Sequence, residues 1–369
     1  MHLFMPVNVL FYPLMLKEKT TYRVIGLMSG TSLDGTDIAL CSFRLKNKKW
    51  RYSVERTQTF PYSKQWKDRL SKLESGSALE FAQTHVDYGH YLGQLVNTFL
   101  RKNHPRPEFV ASHGHTVFHQ PFNGLSSQVG DGASIAAECG LPAVCDFRSK
   151  DIALGGQGAP LVPIGDALLF KSHSAFLNLG GFANCSLIGS NGIQAFDICP
   201  LNIVFNLLSH KLQKKYDPEG SLARRGQVNT ALLNKLNKPD YYRQLPPKSL
   251  GKEWVVKNTI PLLNNSASNP FDLLRTFSEH ASIQIAAVIK RHDSILVTGG
   301  GAYNKFLLER IRYHTGKKTA LGLPDSKTIE FKEALIFAFL GVLRWRQEVN
   351  SLKSVTGASS DSVGGCIYL

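Results

Sequence analysis

Three glycine-rich turns, each following an apolar run of strand character, constrain this 369-residue chain more than any other feature. The first lies between Val24–Met28 and Ile38–Phe43 and reads Met28-Ser29-Gly30-Thr31-Ser32-Leu33-Asp34-Gly35-Thr36-Asp37. Two apolar runs around a polar turn predict a β-hairpin with a long tip. The second, Asn178-Leu179-Gly180-Gly181-Phe182-Ala183-Asn184, follows the run Ala175–Leu179. The third, Thr298-Gly299-Gly300-Gly301-Ala302-Tyr303-Asn304, follows Ser294–Val297 and precedes a helix-like segment.

Glycine lets a backbone approach an anion closely, and successive N–H groups can form an anion-binding nest. Thr31 and Ser32 add hydroxyl donors to the first turn. Asp34 and Asp37 would repel phosphate unless a cation lies between, so a nucleotide bound here implies Mg²⁺, with Asp34 as its ligand, directly or through water. Any one of these turns could be merely a tight turn, since Gly, Ser and Asp are turn formers in any case. Three at successive strand ends fit a nucleotide site better. No G-x-x-x-x-G-K-[ST] and no G-x-G-x-x-G string occurs, which disfavours P-loop ATPases and dinucleotide-dependent oxidoreductases.

Length predicts about two domains. Hairpins mixed with strand–glycine–helix units predict an α/β protein with mixed sheets. Helical spacing runs through 79–101, 272–290 and 330–346. Further strands are expected at Phe109–Ser112, Ala143–Cys145, Ser186–Ile188 and Ile193–Phe196. Residues 214–253, rich in charge, Pro and Tyr, read as an irregular insert, and the glycine turns near 30 and 180 suggest duplicated lobes. The net charge of +15 comes from scattered lysines and arginines, with no nucleic-acid-binding signature, and reads as a basic enzyme surface that attracts anionic ligands. The six cysteines form no C-x-x-C pair, which points to free thiols and a cytoplasmic location. Residues 1–16 lack a basic start and a cleavage site, and Pro6 and Pro13 interrupt them. They read as an extension, with Met15 an alternative start, rather than a signal peptide or membrane span. A two-fold dimer is the default assembly for a soluble homo-oligomer.

Several strings resemble the anhydro-N-acetylmuramic acid kinase family: Gly26–Gly35, Asp146-Phe147-Arg148, Asp151–Pro163, Asn178–Asn184, Pro247-Lys248-Ser249, Gly299–Asn304 and Val355–Ser359, collinear over roughly 23–369. The resemblance implies the two-lobed actin/hexokinase-like (ribonuclease H-like) fold with a central nucleotide cleft. The lobes are expected at 21–149 and 150–354, after an extension at 1–20, with 355–369 returning to the first. It implies ATP and Mg²⁺ as cofactors and a sugar as substrate, with no nucleic-acid or membrane partner. The implied reaction opens the 1,6-anhydro bridge of anhydro-N-acetylmuramate and phosphorylates the freed oxygen 6. Where the family's common strings read F-D-T-G-P-x-N and H-G-Q-T, this chain has Ile198 and Cys199 after Asp197, and His115 in place of Gln, which leaves fine substrate contacts open.

On this resemblance Asp197 is the catalytic base, although alone it reads equally as a helix N-cap. Glu333, at the start of an apolar helix, reads either as a helix-dipole carboxylate or as a catalytic group supporting Asp197. Gly30 to Asp37, Gly180, Gly181, Asn184, Gly299, Gly300, Gly301 and Asn304 are expected to hold ATP. His113, Thr116, Asp146, Arg148, Gln157 and Asn202 are expected to contact the sugar. Arg148 offers a bidentate fork to the lactyl carboxylate, with a salt bridge to Asp151 as the competing reading. The competing functions are a kinase for another 1,6-anhydro sugar such as levoglucosan, a non-catalytic sugar or nucleotide module, and an ATPase acting on a protein partner.

Overall fold

The computed structural model describes residues 19–30, 32–100, 106–190 and 192–369. In chain order the first elements are β1 (Thr21–Ser29), β2 (Gly35–Lys46), β3 (Lys49–Pro61), α1 (Lys64–Lys72), α2 (Ala78–Leu100), β4 (Phe109–Gln120), β5 (Leu125–Val129), α3 (Gly132–Cys139), β6 (Ala143–Cys145), α4 (Ser149–Ala153) and α5 (Val162–Leu169). Then come β7 (Ala175–Leu179), β8 (Phe182–Gly189), β9 (Gly192–Pro200), α6 (Asn202–His210), α7 (Ser221–Arg225), α8 (Thr230–Asn237), α9 (Lys252–Asn258), α10 (Ile260–Asn264) and α11 (Pro270–Ile289). The chain ends with β10 (Ser294–Thr298), α12 (Lys305–Thr315), β11 (Ala320–Gly322), α13 (Ser326–Trp345), α14 (Lys353–Thr356) and β12 (Cys366–Tyr368).

These elements form two compact units, one of residues up to Leu169 with Phe331–Leu369, the other Phe170–Glu330. The expected boundaries at 149/150 and 354/355 are therefore corrected. Residues 150–169 and 331–354 belong with the first unit because α5 and the later part of α13 pack there. Gly165 leaves no room for a Cβ beside Ile336, which a methyl would meet at 2.7 Å. The return of 355–369 to the first unit does occur, with β12 paired antiparallel to β6.

Each unit is built on a mixed sheet, and the two sheets share one plan. In the first, the order is β12-β6-β4-β1-β2-β3, with β5 also on β4. Strands β1, β2 and β3 form an antiparallel meander, and β4 and β6 add in parallel. In the second, β7, β8 and β9 are the antiparallel meander and β10 and β11 add in parallel, giving the order β11-β10-β7-β8-β9. The duplication suggested by the glycine turns is thus real at the level of topology, in an α/β protein with mixed sheets.

The central strands explain why this sequence chooses the plan. Val24, Ile25, Gly26 and Leu27 of β1 are all buried, as expected of a strand covered on both faces. One face meets Tyr88, Leu92, Val96 and Phe99, a helical stripe on α2. In the second unit Leu177, Leu179 and Val297 pack with Leu274, Phe277, Ala281 and Ile285, the buried stripe of α11. The expected helices appear at Ala78–Leu100, Pro270–Ile289 and Ser326–Trp345, the last with a non-helical Phe331 (φ −114°, ψ 20°). The segment 214–253 is not wholly irregular. It contains α7 and α8, and α8 starts on an Asn229 cap and buries Leu232 and Leu236. These helices are short and interrupted by Pro and charge, which hid their periodicity.

Gly26 marks the tightest packing in the first unit. A Cβ there would lie 1.9 Å from the Ala334 carbonyl oxygen, so α13 rests directly on the β1 backbone. Gly26→Ala is expected to lower stability by roughly 1–3 kcal/mol, the usual cost of overpacking against backbone that cannot move aside. Thermal or urea unfolding measures this, and a neutral substitution would contradict the contact.

Candidate active site

In the first unit the turn after β1 does several jobs at once. Ser29 and Thr36 face each other at its base. Leu33 adopts a left-handed φ of 58°, and its N–H donates to the Gly30 carbonyl at 3.4 Å. Ser32 and Asp34 are exposed, whereas Thr31 lies outside the described residues. Not every residue expected to hold ATP is offered to a ligand. Thr36 is buried, with its hydroxyl beside those of Ser29, Tyr62 and Tyr88. Gly35 is glycine for packing, since a Cβ would come within 2.3 Å of the Phe60 carbonyl oxygen. Asp37 accepts from the Thr59 hydroxyl at 2.6 Å. Gly30, Ser32 and Asp34 are the described positions most open to a phosphate.

His113 and Arg148 form one unit of structure. Arg148 donates Nε (3.2 Å) and Nη2 (2.7 Å) to His113 Nε2, and Nη1 to the Gly158 carbonyl at 2.5 Å. His113 Nδ1 then donates to the Gly114 carbonyl at 2.9 Å. Burial first, and then Arg148, push the His113 imidazole down to about 3, so it is neutral and accepts at Nε2. Both ring nitrogens are used, and His113 holds the Arg148 guanidinium in place. Burial lowers Arg148 to about 10, still cationic near neutrality. Three of its five N–H groups are engaged, leaving two for a ligand. The competing salt bridge to Asp151 is not made. Asp151 is buried and accepts instead from Ser351, Thr356 and the Gly158 N–H, each at 2.7 Å. The Thr356–Ser359 string thereby acquires a role, for Thr356 also accepts from the Gln157 N–H at 2.8 Å and steadies the 155–158 loop.

Other expected sugar contacts divide similarly. The Gln157 side chain is exposed, and Thr116 is half-buried on β4. Asp146 has a φ of 56° and accepts from the Ser149 hydroxyl (2.5 Å) and N–H (3.4 Å) at the start of α4. His115 is buried, hydrogen-bonded to the Gly30 backbone, and its Nδ1 has no partner among the described residues.

Glu333 retains solvent contact, yet protein surrounds its carboxyl densely. That desolvation raises it above the usual carboxylate range. Asp37 pushes the same way, while Lys332 and Arg148 oppose. Lys332 and Asp166, which sequence reasoning missed, form an almost fully buried ion pair of 2.8 Å beside it.

In the second unit Asp197 lies inside β9, not after it. The N-cap reading is excluded, because α6 begins at Asn202 with Leu201 as its cap. The Asp197 carboxylate is half-buried and accepts one backbone bond, from Leu250 N–H at 2.8 Å. Burial raises its pKa above the ordinary aspartate value, and the Leu250 donor only partly offsets this. Its backbone is held on both sides, with its N–H donating to the Lys248 carbonyl (3.3 Å) and its carbonyl accepting from the Tyr241 hydroxyl (2.6 Å). Lys248 donates to the Tyr241 carbonyl at 3.1 Å and lies 4.7 Å over the Tyr241 ring. The string Pro247-Lys248-Ser249 was the available signal for this cradle. Asn184, expected beside ATP, pairs across the sheet with Asp197.

The glycines of this unit serve mainly architecture. The Gly180 and Gly181 carbonyls accept from the N–H groups of Leu201, Asn202 and Ile203, and Asn202 Nδ2 donates to the Leu179 carbonyl at 3.0 Å. Asn202 thus braces the turn through one of its amide N–H groups. Gly299 has a φ of 80°, and a Cβ there would lie 2.3 Å from Asn178 Oδ1. Gly301 packs on Leu179, leaving Gly300 as the most open of the three. Asn304 is buried and caps α12 through the Leu307 N–H at 2.9 Å.

The family model described as anhydro-N-acetylmuramic acid kinase matches residues 22–369. The chain belongs to this family. Among curated members, it is 34% identical to the anhydro-N-acetylmuramic acid kinase of Sulfurovum sp. (strain NBC37-1), over 94% of this chain and 99% of that one. It is 35% identical to the Pseudomonas syringae pv. syringae (strain B728a) enzyme, over 93% and 98% of the two chains. A hexokinase from Schistosoma mansoni with glucose is similar at 14% identity and a TM-score of 0.34, covering 90% of this chain and 88% of that one.

No group of three His, Cys, Asp or Glu side chains converges on a metal-sized space among the described residues. A Mg²⁺ ion carried on nucleotide phosphates needs only one or two protein carboxylates. Asp34 is exposed in the turn and fits that part.

The neutral His113 gives a pH test. Its folded value is depressed below the free value of 6.5, so its contribution is present above pH 6.5 and lost as pH falls toward about 3. Over that window it steepens the acid loss of stability by about 1.4 kcal/mol per pH unit. His113→Gln, which does not titrate, should lose that part of the slope in urea unfolding at pH 4.5, 5.5 and 7.5, as judged against about 6.5 for free histidine. An unchanged slope would show that His113 titrates freely in the fold.

Proposed function

We propose that this chain uses ATP and water to convert 1,6-anhydro-N-acetylmuramic acid to N-acetylmuramic acid 6-phosphate, a step of cell-wall recycling in the cytoplasm. Family membership makes it an ATP-dependent sugar kinase. The observation that carries the detailed reading is Asp197, a carboxylate fixed on a strand, raised by burial and supported by a single hydrogen bond.

An anhydro sugar has no free hydroxyl at carbon 6, so the carbon 1–oxygen 6 bond must break before or as oxygen 6 is phosphorylated. Asp197 takes a proton from water, whose oxygen bonds to carbon 1. The electrons of the breaking bond go to oxygen 6, which attacks the γ-phosphorus and expels ADP. The proton held by Asp197 then leaves to solvent. A carboxylate raised above the ordinary aspartate range is a stronger base than a solvated one.

Arg148 is assigned to the lactyl carboxylate, because two N–H groups of its guanidinium remain uncommitted. The backbone near Gly30 and the Ser32 hydroxyl are assigned to ATP phosphate, and Gly300 to the nucleotide. Mg²⁺, held by the phosphates and Asp34, would neutralise charge on the transferring group. Glu333 is assigned a supporting role toward the sugar.

Purified protein with ATP in ¹⁸O-labelled water should turn over anhydro-N-acetylmuramate to a 6-phosphate carrying one labelled oxygen. Asp197→Asn should lower kcat by about 10²–10⁴-fold, the usual contribution of a general base. Turnover of levoglucosan alone would keep the chemistry and replace the substrate. Unlabelled product, or full activity in the variant, would overturn the role of Asp197.

A further inference from the structure

A closed ring of four hydroxyl groups lies buried at the base of the first glycine turn. Ser29 Oγ is 2.7 Å from Tyr88 Oη, Tyr88 Oη is 2.5 Å from Tyr62 Oη, Thr36 Oγ1 donates to Tyr62 Oη at 3.3 Å, and Ser29 Oγ is 3.3 Å from Thr36 Oγ1. Thr36 and Tyr88 also approach across the ring, at 3.4 Å. Four hydroxyls carry four protons, and one circular direction uses them all: Thr36 to Tyr62, Tyr62 to Tyr88, Tyr88 to Ser29, Ser29 to Thr36. In that arrangement each oxygen donates once and accepts once, the condition under which a buried polar network strengthens itself.

The ring's position gives it a purpose. Ser29 ends β1 and Thr36 lies at the start of β2, directly opposite, so the ring closes the mouth of the turn 30–35. Tyr62 holds the turn a second time, because its N–H donates to the Asp34 carbonyl at 3.3 Å. Tyr88 comes from α2, is fully buried, and its ring packs edge-on against Trp66, with centroids 5.3 Å apart. A residue on the buried face of α2 thereby fixes the width of a turn whose polar side chains Ser32 and Asp34 are exposed. If stability were the only requirement, Phe and Val could fill these four positions without any hydroxyl to satisfy.

Resting on the reading that this turn holds ATP phosphate, we propose that Tyr88 is a positioning residue for the nucleotide, acting through the hydroxyl ring on the backbone of Gly30 and of Ser32 to Asp34. Opening the ring lets Ser29 and Thr36 separate, which misaligns the N–H groups above them. The cost falls on ATP recognition and not on the sugar. Burial keeps the Tyr88 phenol neutral at any physiological pH, so the ring's protons stay in place.

The test uses the full chain and compares Tyr88→Phe, Tyr62→Phe and Tyr22→Phe. Tyr22 is an equally buried tyrosine of β1, whose hydroxyl donates to the Lys19 carbonyl and accepts from Arg346, at the other end of the strand from the turn. Each variant is assayed for ATP dissociation constant by calorimetry, KM for ATP and for the sugar, and unfolding midpoint. The expected result is ATP binding and KM weakened by about tenfold in Tyr88→Phe, equivalent to one lost net hydrogen bond. The sugar KM should stay within about twofold. Tyr62→Phe should behave likewise, giving the same readout should Tyr88→Phe not fold. Tyr22→Phe should lose stability without losing ATP affinity. Unchanged ATP affinity in both ring variants would overturn the proposal while leaving the turn's assignment intact. A wild-type protein that binds no ATP would overturn both together.

Discussion

A carboxylate taken partly out of water, with one backbone N–H to compensate, is the arrangement on which the account turns. Asp197 could have been solvated or paired with a cation, and either would have left it a weak base. Instead its backbone is clamped by Lys248 and Tyr241, and only Leu250 meets the carboxylate. The segment 247–250 therefore exists in its present form to hold a strained electrostatic position. The first unit shows the same economy. His113 is kept neutral so that Arg148 can be gripped without a counter-charge, which leaves the guanidinium's remaining N–H groups for an anion.

The two units reach this by one topology used twice. In each, a glycine turn joins the first two strands of a three-stranded antiparallel meander, and parallel strands extend the sheet from the meander's first strand. The turns have diverged in what they do. The turn after β1 leaves a polar tip open above a buried hydroxyl ring. The Gly180–Gly181 turn points its carbonyls at the N-terminus of α6 and so spends those acceptors on the fold. Gly299 and Gly301 are glycines because Asn178 and Leu179 leave no space for a side chain.

Much of this was legible in the residues. The hairpin around residue 30, the long helices, the strand into Gly299 and the family strings all carry strong local signals: continuous apolar runs, helical spacing and rare glycine clusters. The division into units was misplaced, because α5 and α13 pack by contacts such as Gly26 on Ala334 that no periodicity announces. Residue roles were legible only as types. Sequence put His113, Asp146 and Asn202 in the site, and the hydrogen bonds they make, His113 to Arg148, Asp146 to Ser149 and Asn202 to the Leu179 carbonyl, could not be read from it. Lys332–Asp166 and the Tyr62–Tyr88 hydroxyl pair were invisible, since each joins residues distant in sequence, in one case a Lys and an Asp that read as ordinary surface charge.

The central claim is that Asp197 works as a base because its surroundings raise it. The pH dependence of kcat/KM for the sugar, measured at saturating ATP, addresses that directly. The account predicts an acid limb with an apparent pKa above the ordinary aspartate value of 3.8, absent from the residual activity of Asp197→Asn. A limb at or below that value, or one that persists unchanged in the variant, would contradict it.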